Sequence, residues 1–185
     1  MDGKIVYEGK TKDGQSFIIR YPKIDDLEKL LDYINTLSRE KTFIRYQGEQ
    51  LTLAEEKEFL ENQLKAISES KSILLLLFID EKLAGDSNIN VGSFMVNQHI
   101  GSFGISISKE FRNQGLGKIL MEKVLEEAEK NLLGLKSIVL GVMANNPIAL
   151  NLYKEFGFIE YGTLPEAFFY KGEYIAEIRM CKKIK

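Results

Sequence analysis

Residues 103–118 read FGISISKEFRNQGLGK. Phe103, Ile105 and Ile107 alternate with Gly104, Ser106 and Ser108, the period of a strand with one apolar face. The alternation breaks in a charged, glycine-bearing turn. After Gly117 the period lengthens, and Ile119, Leu120, Val124, Ala128 and Leu132 recur at helical spacing. The turn therefore joins a strand to the start of an amphipathic helix. The first N–H groups of a helix have no internal partners and lie at the positive end of its dipole, so such a turn suits an anion, typically a phosphate.

Spacing narrows the phosphate chemistry. A P-loop needs Ser or Thr after its Gly-Lys pair to serve Mg²⁺, and here Gly117-Lys118 is followed by Ile119. A dinucleotide fingerprint needs a third small residue where this chain has Leu120, and it normally opens a domain. What remains is Arg112-x-x-Gly115-x-Gly117.

The chain around this stretch is 185 residues, the size of one well-buried domain. With 44% hydrophobic and 28% charged residues it reads as a soluble globular protein. A formal charge of −2 argues against a general nucleic-acid binder, which needs a basic face. Cys181 is the only cysteine and His99 the only histidine, so an intramolecular disulfide is excluded and no metal site is expected. The first residues are too polar for a signal peptide, and the apolar run 73–79 is too short to span a bilayer. The expectation is a cytoplasmic protein that does not engage membranes.

In chain order, residues 4–8 and 16–21 read as two strands around a polar turn. Asp25 with Glu28 reads as the cap of a helix whose Leu27, Leu30, Leu31, Ile34 and Leu37 share a face. Thr52-x-x-Glu55 is a second capping box, opening a helix with Leu60, Leu64 and Ile67 on one side. Its outer face holds Glu55, Glu56, Glu58, Glu61 and Glu69 against Lys57 and Lys65, which reads as a solvated surface; the functional alternative is an attraction for a cationic amine. Residues 73–79 form a continuous apolar strand, and 83–96 a long strand interrupted by polar residues. The central helix ends near Gly134, residues 136–143 form a buried strand, and Asn146-Pro147 caps a further helix closed by Gly157. Residues 158–170 and 173–183 form a closing hairpin around Lys171-Gly172. Strand, helix and strand in this order predict a right-handed crossover within one α/β domain, residues 1–185, with a mixed sheet and helices on both faces.

The stretch NNPIALNLYKEFGF, residues 145–158, supplies the second motif. Together, Arg112-x-x-Gly115-x-Gly117 and Asn146-x-x-Ala149-x-x-x-Tyr153 followed by Gly157-Phe158 resemble the two signatures of the GNAT superfamily of acyl-CoA-dependent N-acetyltransferases. The similarity runs from about residue 75 to the end of the chain and is nearest to enzymes that acetylate small amines, amino acids and protein N-termini. Taken alone, Ala149, Leu152, Tyr153 and Phe156 are also the buried stripe of a short helix.

The resemblance implies a GNAT fold in which two parallel strands splay and the pantetheine arm of acetyl-CoA lies in the gap. Backbone groups of Ile105 and Ile107 would meet pantetheine, with the Ile107 N–H polarising the thioester carbonyl. Arg112, Asn113, Gln114, Gly115, Leu116, Gly117 and Lys118 would hold the pyrophosphate, and Asn146 would both cap its helix and contact the ligand. Tyr153 would serve the departing thiolate as acid. Relatives often carry a glutamate on the central strand, where this chain has Ser102, Gly104 and Ser106, so His99 is the candidate base. The acceptor, a small-molecule amine or a peptide N-terminus, would enter near Phe43, Arg45, Tyr46 and Gln47 and the hairpin around residues 168–170. The resemblance also implies a homodimer through that hairpin. A domain that binds acyl-CoA without turnover is the alternative reading.

Overall fold

The structure is a computed structural model describing residues 1–184. Eight strands and four α-helices make an α/β protein, in order β1 (Ile5–Lys10), β2 (Ser16–Arg20), α1 (Leu27–Glu40), α2 (Leu53–Ser68), β3 (Ser72–Ile79), β4 (Lys82–Val91), β5 (Ile100–Ile107), α3 (Leu116–Asn131), β6 (Ser137–Met143), α4 (Pro147–Glu155), β7 (Ile159–Tyr170) and β8 (Glu173–Lys183). The chain packs as two compact units. One comprises Met1–Asn90 and Gly104–Leu133, the other Val91–Phe103 and the chain from Gly134 onward, so β5 passes from the second into the first.

In the first unit β1, β2, β3 and β4 pair antiparallel in that order. All eight residues of β3 are buried, because this strand is covered on both faces. The cover can be read from β4. A Cβ on Gly85 would strike the side chains of Ile107 and, farther off, Leu120 of α3, whereas neighbouring Asp86 lies with Tyr33 of α1 and Glu56 of α2. Successive strand residues point to opposite faces, so α3 covers one face and α1 with α2 the other.

Capping departs from the expectation at α1. Residues Ile24–Asp26 form a 3₁₀ turn, and it is Asp26, not Asp25, whose carboxylate takes the Lys23 N–H at 2.8 Å. Asp26 is also buried against Arg20 in a two-pronged pair at 2.6 and 2.7 Å, and that pairing is the reason it outcompetes its exposed neighbour. At α2 the Thr52–Glu55 capping box forms as expected, with both reciprocal bonds. The strand expected over 83–96 stops at Val91, where Gly92 accepts no further ladder and its N–H turns to the Ile100 carbonyl.

In the second unit the start of β5 runs parallel to β6, in the register Ile100↔Ser137, Gly101↔Ile138 and Ser102↔Val139. β6 then pairs antiparallel with β8, and β8 with β7. The closing hairpin turns at Lys171-Gly172, both in the left-handed region, as the Lys-Gly pair predicts. Asn146 caps α4, its Oδ1 accepting the Ala149 N–H at 3.2 Å, with Pro147 at the first helical position. Gly157 ends the helix at φ +81°.

Candidate active site

The first unit contains the glycine turn. Ile107 closes β5, a short 3₁₀ turn spans Lys109–Phe111, and α3 opens at Leu116 with Gly115 as its cap at φ +83°. Asn113 is also left-handed, at φ +64°. Successive turns of this kind aim backbone N–H groups into a common concavity. The Gly115 carbonyl accepts from Lys118 and Ile119, which leaves the N–H groups of Leu116 and Gly117 at the helix start without an intrahelical acceptor. A Cβ on Gly117 would meet nothing closer than Ile107 Cγ1 at 3.8 Å, and one on Gly115 nothing within 4 Å. The protein does not fill the space in front of these glycines. Gln114 adds a buried side-chain oxygen with no protein partner. Free N–H donors, open space and an unmatched polar atom are what a pyrophosphate cradle requires, so the residues present fit that group.

Arg112 stands differently from the rest of the turn. Its Nε donates to the Ile107 carbonyl at 2.8 Å and its Nη2 pairs with Glu40 Oε2 at 2.5 Å, while Glu40 Oε1 takes the Lys109 N–H. Arg112 therefore anchors the turn to the end of α1.

β5 has two unequal edges. Its even-numbered residues face β4, since Ser87 Oγ donates to the Gly104 carbonyl at 2.8 Å and the Ser108 N–H to the Ala84 carbonyl at 2.9 Å. By alternation the backbone groups of Ile105 and Ile107 point away from β4. Their side chains lie on the α3 face, and the Ser106 side chain lies on the face of α1 and α2.

On that second face the structure assembles a group that the sequence reading missed. Tyr33 O–H lies 2.7 Å from Ser106 Oγ, and Ser106 in turn donates to the Asp86 carboxylate. Burial lifts the Asp86 carboxyl above its usual range, although the Ser106 and Tyr33 hydroxyls oppose the shift. Burial, and then the Asp86 charge, raise the Tyr33 phenol in the same way. Glu56 of α2 is only 3% exposed, and its carboxyl is pushed up to about 7, first by burial and then by the Asp86 charge. Glu56 was expected on a solvated face with Glu55, Glu58 and Glu61, which are indeed exposed. It sits instead on the buried stripe at Glu56, Leu60 and Ile67, one helical turn before Leu60. That spacing was the available signal, hidden by the run of acids around it.

The second unit holds the other candidates. Tyr153 is 8% exposed and packs edge-on against Phe103, ring centroids 5.9 Å apart at 84°, and against Phe158 at 6.1 Å. Burial pushes its phenol up to about 12, so the hydroxyl keeps its proton at neutral pH. His99 lies in the exposed turn before β5, where its carbonyl accepts from Lys136 at 2.8 Å and Ser137 at 3.2 Å. Three strand residues separate it from Phe103, roughly 13 Å along the chain. Its visible work is to start the β5–β6 pairing.

A concavity of the first unit, about 570 Å³, is lined by Arg20, Lys29, Phe78 and Asp80 among others, and includes neither the turn nor Glu56. In the loop between α1 and α2, Gln47 Nε2 closes on the Thr42 and Ile44 carbonyls at 2.7 Å, and Ser38 ties the loop back to α1. Phe43 and Arg45 are exposed there.

Comparison with known proteins agrees with this geometry. An L-amino acid N-acetyltransferase of Escherichia coli is 30% identical over 58% of this chain and 66% of its own length. A spermidine N(1)-acetyltransferase of Vibrio cholerae is 39% identical over 39% of this chain and 41% of its own. The chain thus spans less than two thirds of these curated relatives. A GNAT-family acetyltransferase structure from Streptococcus pneumoniae superposes with a TM-score of 0.83 at 32% identity, covering 91% of this chain and 99% of that one. The profile of the acetyltransferase (GNAT) family matches residues 32–158, more than half of the chain and both motifs, and the chain belongs to that family.

Proposed function

We propose that this protein transfers an acetyl group from acetyl-CoA to a primary amine by direct attack. The observation that carries the reading is the open turn at residues 112–118, whose unfilled space, free N–H groups and unmatched Gln114 oxygen fit a pyrophosphate on the helix N-terminus. Acetyl-CoA supplies the acyl carbon as an activated thioester. The chain binds it with backbone N–H groups of residues 113–117 and with the outward backbone edge of Ile105 and Ile107. The Ile107 N–H is the donor toward the thioester oxygen, where negative charge develops during attack. The second motif assigns Asn146 a ligand contact as well.

Tyr153 has a specific duty in this scheme. A phenol at about 12 is a weaker acid than a thiol at about 8.5, so complete proton transfer to the leaving thiolate is uphill. Its O–H instead donates a hydrogen bond that stabilises the sulfur as charge collects there. Tyr153→Phe should lower kcat about tenfold to a hundredfold and leave coenzyme A affinity nearly unchanged, as measured by thiol release and calorimetry. An unchanged kcat would remove Tyr153 from the mechanism.

The relatives act, by their names, on L-amino acids and on spermidine, and others on alanine of ribosomal protein bS18. The acceptor of this chain is an amine from these classes. An acetyl-transfer assay with spermidine, L-alanine and a peptide with N-terminal alanine tests the reading directly. Stabilisation by coenzyme A without turnover on any of them would favour the non-catalytic acyl-CoA binder.

No helix among the described residues is long and apolar enough to cross a membrane, and a cytoplasmic site suits a chain with one cysteine. We extend the reading to a homodimer through the β7–β8 hairpin, where Ile159, Tyr161, Leu164, Phe169 and Tyr174 are all exposed. Light scattering across a concentration series checks it.

A further inference from the structure

We infer that Glu56, with Asp86 behind it, forms the ammonium subsite for the acceptor and takes the proton from the attacking nitrogen. This rests on the transferase reading above and assigns a group that neither motif contains.

Four elements build the subsite. Asp86 on β4 is held by Ser106 Oγ of β5, and Ser106 by the Tyr33 hydroxyl of α1 at 2.7 Å. Ser106 has one proton and gives it to Asp86, so Tyr33 must donate to Ser106, and the relay has a fixed direction. Glu56 of α2 faces this relay, is only 3% exposed, and makes no hydrogen bond or ion pair with the described residues. An isolated buried carboxylate is costly, and the fold does not compensate it. β3, on which α2 packs, contributes only SILLLLFI and no charge. The 3₁₀ turn beside α2 contributes Asp25 and Asp26, and Asp26 is already matched by Arg20. α1 brings Tyr33, and Arg112, whose charge acts on Tyr33, is spent on Glu40. The missing partner is a cation from outside the chain.

Position makes the subsite catalytic rather than merely attractive. Ser106 lies between Ile105 and Ile107, the residues whose outward backbone edge is assigned to the pantetheine and thioester. A group held against Ser106 is one residue, roughly 3.3 Å of strand, from the Ile107 donor. An ammonium entering there breaks one N–H bond while the O–H bond forms on Glu56. Both charges vanish and the nitrogen lone pair is freed. The C–N bond then forms as the C–S bond breaks, the electron pair leaves on sulfur, and the proton shed by the nitrogen as it becomes an amide balances the thiolate. A carboxyl held near 7 is matched to this duty at neutral pH. Two carboxylates also repel an acceptor whose own carboxylate adjoins its amine, so spermidine or a peptide N-terminus is favoured over a free amino acid.

The test compares wild type, Glu56→Gln and Asp86→Asn with spermidine, L-alanine and the alanyl peptide, following kcat/KM from pH 5.5 to 9 and coenzyme A affinity in parallel. Expected for wild type is an acidic limb near 7 and a preference for spermidine or the peptide. Glu56→Gln should lose roughly a hundredfold or more in kcat/KM together with that limb, at unchanged coenzyme A affinity. Asp86→Asn removes the neighbouring negative charge, so the limb should move to lower pH. A Glu56→Gln profile that keeps the wild-type limb overturns the proposal while leaving the transferase reading intact. Equally, an Asp86→Asn limb that does not move downward overturns the pairing. Coenzyme A binding by wild type with no turnover on any amine is the separate result that sinks the transferase reading, and this inference with it.

Discussion

Two buried carboxylates in the first unit have opposite surroundings. Glu127 on α3 is 5% exposed and collects the Tyr21 hydroxyl at 3.0 Å, Asn131 Nδ2 at 3.2 Å, and the Lys4 and Lys130 ammonium groups at 3.4 and 3.6 Å. Glu56 on α2 is 3% exposed and collects none. The first is a tether that ties the N-terminal strand region to α3 across more than a hundred residues. The second is held in readiness, because a charge that the fold leaves unmatched has somewhere to gain from a ligand. Burial is the same for both, and the donors decide the role.

The largest expected difference is in stability. Glu127→Ala would strip the partner from Tyr21, which is 1% exposed and whose phenol is already raised first by burial and then by the Glu127 charge. A loss of about 2–4 kcal/mol in urea unfolding is expected, with coenzyme A affinity kept. A loss under about 1 kcal/mol would mean the tether is ornamental, and the contrast with Glu56 would collapse.

Glu56→Gln should change stability in the opposite direction. The Glu56 carboxyl titrates near 7 in the folded chain and near 4.5 unfolded, so the folded state holds its proton more tightly. That contribution is fully present below about 4.5 and is lost as pH rises through 7. Glutamine mimics the protonated acid and does not titrate. The variant should therefore gain about 1–3 kcal/mol over wild type at pH 8 and nothing at pH 4, a difference readable as a pH-dependent rise in Tm. Equal melting curves at pH 8 would show that Glu56 is not held uncompensated.

Tyr33→Phe is the finest probe. It deletes the outer donor of the relay to Asp86 and should cost about 1 kcal/mol in chemical denaturation, with turnover reduced far less than in Glu56→Gln. If Tyr33→Phe instead matched the loss of Glu56→Gln, the relay and not Glu56 would dominate the subsite.

Much of the architecture was legible in order. The closing hairpin, the Asn146 cap, the Thr52–Glu55 box and the switch from period two to helical period after Gly117 each follow from local chemistry: a turn residue, a side-chain acceptor or a repeat. Asp26 was missed in favour of Asp25 because the choice between adjacent acids was made by Arg20, six residues away at the end of β2. Glu56 was hidden for a similar reason. Five glutamates in and just after one helix look alike in sequence, and only the packing of α2 on β3 and α1 turns one of them inward. Asp86 sits in a strand of alternating polar residues, and its importance comes from the facing Ser106 of the next strand.

By itself, the sequence determined the family and the glycine turn at the start of α3, because such a turn is made of consecutive backbone groups and needs only glycines at fixed spacing. The tertiary structure decided the rest of the candidate chemistry. It withdrew Tyr153 from water, set Arg112 to anchor the turn, and brought Tyr33, Glu56, Asp86 and Ser106 together from four elements. A proton affinity is set by solvent exclusion and by charges nearby in space, and neither quantity is written in the order of residues along a chain.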